Sequence, residues 1–181
     1  QELCQGAEKL CAALGGEKSG GVVIFASGGG VNGIENIAKS FYAARQCVRR
    51  RPITCEYAFL DAENISDGAA EGGIRLSPNA MTVYEALLSG GNPAKARAFV
   101  DDLLKAERRA DVSVVQYIKL AETLNQQLFW MTKSSAPARE SRLIEISAPH
   151  TLVTAEQLGD ILHDNLAIFF EEQADAPNKS E

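Results

Sequence analysis

The stretch Ser77–Leu104, SPNAMTVYEALLSGGNPAKARAFVDDLL, decides the fold. Ser77-Pro78 combines an N-cap with a proline at the first helical position, where no amide hydrogen is required. Met81, Tyr84, Leu87 and Leu88 then recur at helical spacing until Gly90-Gly91 stops the run. Asn92-Pro93 repeats the start signal, and Ala96, Phe99, Val100, Leu103 and Leu104 build a second apolar face. Two amphipathic helices joined by so short a turn predict an antiparallel hairpin.

Helical patterning continues downstream. Asp111 is a candidate cap for a helix reaching about Met131, with Val114, Ile118, Ala121, Leu128 and Met131 on one face and Trp130 at its edge. A polar loop covers 133–142, and Leu143–Ile146 reads as a short strand or an extended connector. Thr154 and Gln157 fit a capping box, Val153 and Leu158 a hydrophobic staple, and Ile161, Leu162 and Phe169 extend the apolar face of a last helix. The tail after Gln173 is polar and aperiodic.

Upstream, Glu2–Leu14 predicts a short helix. Val22–Ala26 is β-branched, glycine-bounded and too short for a buried helix, so it predicts a strand. Ile34, Ile37, Phe41, Ala44 and Val48 then mark a helix with one apolar face. Arg49-Arg50-Arg51 falls at its C-terminal end, where positive charge offsets the helix dipole, and Pro52 blocks continuation. That triplet reads as a solvated helix end. Thr54–Leu60 alternates as a second strand, with Cys55, Tyr57 and Phe59 on one side, and the small, acidic 61–73 stretch marks a boundary.

Bulk properties bound the function. The chain has 181 residues, 45% hydrophobic and 23% charged, which is ordinary for a globular protein and argues against a disordered or fibrous chain. A formal charge of −6 lacks the positive field that neutralises phosphates, so unaided DNA binding is not expected. No apolar run approaches the roughly 20 residues of a membrane span, and no export signal is visible within these residues. Cys4, Cys11, Cys47 and Cys55 show neither metal-ligand nor staple spacing and are expected as free, buried thiols.

The chemistry-bearing candidates are few. Ser27-Gly28-Gly29-Gly30 lies between a strand and a helix, where glycine-rich backbone can cradle a phosphate, but it matches neither the dinucleotide fingerprint nor a P-loop. His150 and His163 have no Cys or His at ligand spacing; His150 is expected in a loop and His163 on a helix surface or in a groove. Asp101-Asp102 and Glu171-Glu172 are adjacent on helices, so their side chains diverge, as solvated faces do. Phe129-Trp130 could stack on a ligand, but packing of a helix edge on its neighbour explains it more cheaply. No catalytic residue, cofactor or metal is expected.

Phe25-Ala26-Ser27, a short loop, and a helix containing Ser40-Phe41-Tyr42-Ala43-Ala44, followed by the strand Thr54–Asp61, together resemble the end of the degenerate, GGDEF-like cyclase domain of some bacterial AraC-type transcription regulators. Tyr84–Leu104, with Leu87-Leu88-Ser89-Gly90-Gly91-Asn92, resembles the helical segment that precedes their paired helix-turn-helix domain, and the helix after Thr154 fits its end. Phe25 stands where the family has glycine, Ala43 where it has glutamate, and no Gly-Gly-Asp/Glu-Glu-Phe signature occurs.

The expectation is therefore an α+β, mostly α fold: a partial cyclase-like α/β segment over 1–62 with a small partial sheet, a linker over 63–76, a helical relay module over 77–173 and a disordered tail over 174–181. The resemblance implies a cytoplasmic, non-catalytic relay, sensing or dimerisation region whose DNA-binding domain lies outside these residues. Tyr84, Leu88, Phe99 and Leu103 are the expected self-association face of a dimer, and the small-molecule effector is unknown. The alternative is a small-molecule-binding sensor module, followed by a nucleotide-using enzyme built around Ser27–Gly30.

Overall fold

The computed structural model describes residues 22–63, 74, 76–135, 137–146 and 153–171, with residues 6, 9, 10 and 13. Most of the helix expected over Glu2–Leu14, most of the 63–76 linker, Cys4, Cys11, His150 and the 174–181 tail lie outside them. The fold is α+β and mostly α, with one small parallel sheet.

The chain divides into two units. One comprises Gln1–Gly73, Arg108–Tyr117 and Ala148–Ala155; the other comprises Ile74–Glu107, Ile118–Ser147 and Glu156–Glu181. This differs from the contiguous division read from the sequence, because two downstream segments return to the first unit.

In the first unit, β1 (Val23–Ser27) and β2 (Tyr57–Asp61) pair in parallel, from Val23 opposite Tyr57 to Ser27 opposite Asp61. A parallel pair needs a crossover, and α1 (Ile37–Arg50), entered through a 3-10 turn at Ile34–Asn36, supplies it and packs on both strands. Strand β2 starts later than the alternation predicts because Thr54 lies in a turn closed by the Cys55 amide, which donates to the Pro52 carbonyl at 2.9 Å, and residues 51–53 are engaged elsewhere. Pro52 bridges Ser113 in antiparallel fashion, the Ile53 amide donates to the Val112 carbonyl at 2.9 Å, and the Val114 amide donates to the Arg51 carbonyl at 2.8 Å. Ile53, Val112 and Val114 are buried around this bridge.

Arg51 overturns its sequence reading. Its side chain is 1% exposed, and its guanidinium donates to the Cys55 carbonyl at 2.6 Å and the Val153 carbonyl at 2.8 Å. Arg51 is an internal staple between sequence-distant segments, while Arg50 keeps the exposed helix-end position. The apolar face expected on α1 is shifted: Ile34, Ile37 and Phe41 are exposed, Ala44 and Val48 are half-buried, and Cys47 is the buried residue of α1.

The second unit is helical. α2 (Pro78–Ser89) and α3 (Pro93–Glu107) form the expected hairpin, with Ser77 Oγ accepting from the Ala80 amide and Asn92 Oδ1 from the Lys95 amide. Gly91 turns the chain at φ +63°, a backbone region costly for residues with a Cβ. α4 (Val114–Ser135) does not start from Asp111. Ser113 Oγ accepts from the Gln116 amide at 3.3 Å and Gln116 Oε1 accepts from the Ser113 amide at 2.8 Å, a reciprocal capping box.

A four-residue α5 (Pro137–Glu140) leads to the Leu143–Ile146 connector, and α6 (Ala155–Phe170) begins directly after Thr154, as the capping pattern predicts. The core of this unit contains Leu88 from α2, Val100 and Leu104 from α3, Leu124 and Leu128 from α4, and Leu162 and Leu166 from α6. Each fully buried leucine contributes about 1.5–3 kcal/mol.

Candidate functional site

Two of the four residues expected to form a self-association face are internal. Tyr84 and Leu88 are 0% exposed, and Tyr84 stacks on Phe99 with ring centroids 5.7 Å apart; Phe99 and Leu103 are half-buried. Tyr84 and Leu88 are thus covered within the chain, whereas Phe99 and Leu103 keep part of their surface.

The glycine-rich loop is also committed. A Cβ at Gly28 would collide with the Ser40 carbonyl, so this glycine lets α1 close onto the loop. Ser40 Oγ donates to the Gly29 carbonyl at 3.1 Å, and the Gly29 amide donates to Ser27 Oγ at 3.2 Å. The Glu63 carboxylate lies beside Gly29 and that of Glu35 beside Gly33. An amide already spent and two nearby anions oppose phosphate binding rather than favour it.

His163 on α6 sits with Nε2 2.8 Å from Asp101 Oδ1 on α3, an ion-pair separation without hydrogen-bond alignment. Asp101 thus has a partner, unlike the solvated pair expected, and Glu171 meets Arg142 at 2.7 Å. Cys47 and Cys55 are free thiols; Cys47 is buried and Cys55 half-buried. Burial, and then the nearby Asp61 carboxylate, pushes the Cys47 thiol above its ordinary pKa. Among the described residues no group of three His, Cys, Asp or Glu side chains is arranged to hold a metal ion, and no helix is long and apolar enough to cross a membrane.

A concavity lies in the second unit, against α4. Glu122, Gln126 and Trp130 recur at four-residue steps along the helix, Phe129 and Lys133 are likewise four apart, and with Asn125 they form one wall. Glu140, Glu145 and Ile146 form the other, enclosing a groove of about 450 Å³. Trp130 is 71% exposed, so it is not the packed helix edge expected from the sequence. Lys133 Nζ lies 3.7 Å from Glu140 Oε1.

The second wall is held by two buried asparagines. Asn125 Nδ2 donates to the Ile144 carbonyl at 2.9 Å. Asn165 on α6 accepts from the Ile144 amide at 2.8 Å and donates to the Ile144 carbonyl at 2.7 Å and to Asn125 Oδ1 at 2.6 Å. The Leu143–Ile146 connector is therefore extended without a partner strand, because side-chain amides supply the pairing that a sheet would. Neither asparagine was singled out from the sequence. The groove had a legible signal: Glu122, Gln126 and Trp130 fall at i, i+4 and i+8, which places the tryptophan on the polar face of α4.

Compared with protein-family models, curated proteins and solved structures, the chain has no match.

Proposed function

We propose that this chain is a non-catalytic relay or sensing region of an AraC-type transcription regulator, working in the cytoplasm, with the DNA-binding domain outside these 181 residues. The observation that carries the reading is the β1–α1–β2 crossover. It sets Phe25-Ala26-Ser27 at the end of one strand, Ser40-Phe41-Tyr42-Ala43-Ala44 on the connecting helix and Asp61 at the end of the second strand. The degenerate cyclase-like domain carries its counterparts of these segments in the same order. The acidic balance of the chain agrees with a region that leaves DNA contact to another domain.

Relay between two copies would alter the spacing of paired DNA-binding modules, a coupling that requires different contacts in two states. Such pairing would use a surface other than Tyr84 and Leu88, which are internal. Immunoprecipitation of the full-length protein with its chromosomal DNA tests the reading: enrichment at discrete promoters supports it, and uniform background occupancy rejects it. The sensor-module reading is favoured by a separate observation, the groove against α4 with its exposed Trp130.

A further inference from the structure

We infer that the α4 groove binds a small organic ammonium compound, an amine or quaternary ammonium with a compact apolar body. The volume of about 450 Å³ is within the ~300–1,000 Å³ range of small-molecule sites. Its lining is chemically divided. Phe129, Trp130 and Ile146 offer apolar and aromatic surface, whereas Glu122, Glu140 and Glu145 bring three carboxylates against Lys133, the one cation among the described lining residues.

Lys133 is already next to Glu140. Among the described residues Glu122 and Glu145 have no ion-pair partner. The described lining therefore carries net negative charge beside an exposed indole, and a cation over an aromatic face gains attraction from both. An anion would meet uncompensated carboxylates, and a neutral molecule would gain only the apolar contacts. The Asn125–Asn165 clamp fixes the backbone that carries Glu145, so the wall is in place before a ligand arrives.

Trp130 is the only tryptophan of the chain, so its fluorescence reports this groove. The test titrates the intact chain with 2-phenylethylamine, its neutral counterpart 2-phenylethanol and the anion 3-phenylpropionate, at low and high salt. The amine should change Trp130 emission saturably and bind at least about tenfold more tightly than the alcohol, with the advantage shrinking as salt rises. Calorimetry on Glu122→Gln/Glu145→Gln, whose positions are not buried and whose melting should match the parent, should show the amine weakened about tenfold toward the alcohol. Equal binding of amine and alcohol, tighter binding of the anion, unchanged amine affinity in the folded double variant, or no saturable amine binding would each overturn the inference.

Discussion

Asn165 reads both backbone groups of Ile144 with one side chain: its Oδ1 accepts from the Ile144 amide at 2.8 Å and its Nδ2 donates to the Ile144 carbonyl at 2.7 Å. The other Nδ2 hydrogen is available to Asn125 Oδ1, 2.6 Å away, and Asn125 Nδ2 reaches the same carbonyl. Every polar group of the Asn165 side chain is thereby satisfied at 0% exposure. A buried polar network of this kind stabilises only while it stays complete.

Asn165→Ala should therefore cost about 2–4 kcal/mol, because it strands the Ile144 amide and leaves Asn125 Oδ1 without its donor. Asn125→Ala should cost less, since Asn165 still holds both groups of Ile144. The double variant should be less destabilised than the sum, as expected of residues sharing one network. Chemical denaturation of the three variants checks this, and additive losses would show that the two side chains act separately.

At Gly28 the constraint is steric. The Ser40 carbonyl occupies the place a Cβ would take, and that carbonyl belongs to the backbone of α1, which cannot rotate aside. Gly28→Ala should destabilise by about 1–3 kcal/mol or more, while Gly30→Ala, with open space around it, should change stability by less than about 1 kcal/mol. Equal melting temperatures for the two variants would contradict the packing role.

Much of the fold was legible where local chemistry decides it. Ser77-Pro78 and Asn92-Pro93 mark helix starts whatever the rest of the chain does, and both caps form. Misreadings arose where tertiary partners compete with a local rule. Arg51 has the ordinary chemistry of a helix end, but the Cys55 and Val153 carbonyls converge on it from 4 and 102 residues away. Ile34, Ile37 and Phe41 satisfy helical periodicity, yet α1 lies on its sheet by another face. The asparagine clamp joins residues 125, 144 and 165, and no periodicity links such positions. Trp130 was legible on the polar stripe of α4 but was assigned by residue type instead of by face.

The start of α4 separates two adjacent candidates. Ser113→Ala should lower stability by about 1 kcal/mol, since it removes the oxygen that accepts from the Gln116 amide. Asp111→Ala should stay within about 0.5 kcal/mol, because Asp111 is exposed and its contact with Arg109 is a surface ion pair. Urea midpoints would reverse in order if Asp111 were the cap.

Arg51→Met should cost about 2–4 kcal/mol by leaving the Cys55 and Val153 carbonyls without a charged donor. Burial pulls the guanidinium below its ordinary pKa, but arginine starts high enough to remain charged at neutral pH. Arg51→Lys should recover only part of the loss, because one ammonium cannot reproduce the fork that reaches two carbonyls. Full recovery by lysine, measured by denaturant unfolding, would show that charge alone matters there.

Tyr84 should respond in the opposite direction. Its hydroxyl is buried with no hydrogen-bond partner among the described residues, and burial holds its pKa above the ordinary tyrosine value. Tyr84→Phe preserves the ring stacked on Phe99 and removes a desolvated oxygen, so stability near pH 7 should rise by about 1 kcal/mol. The unfolded chain ionises this tyrosine near pH ~10, whereas the folded chain does so only at higher pH. Its contribution is therefore complete below about pH 10 and is lost as pH rises toward the folded value, at up to about 1.4 kcal/mol per pH unit. The Cys47 thiol, also raised by burial, adds a loss of the same sign, but it is present in both proteins and cancels from their difference. Urea unfolding of parent and Tyr84→Phe near pH 7 and near pH 11 should give a gap that widens at the alkaline end. A gap independent of pH would place the folded hydroxyl in water-like surroundings, and a less stable Tyr84→Phe near pH 7 would mean that the oxygen has a partner the phenylalanine cannot replace.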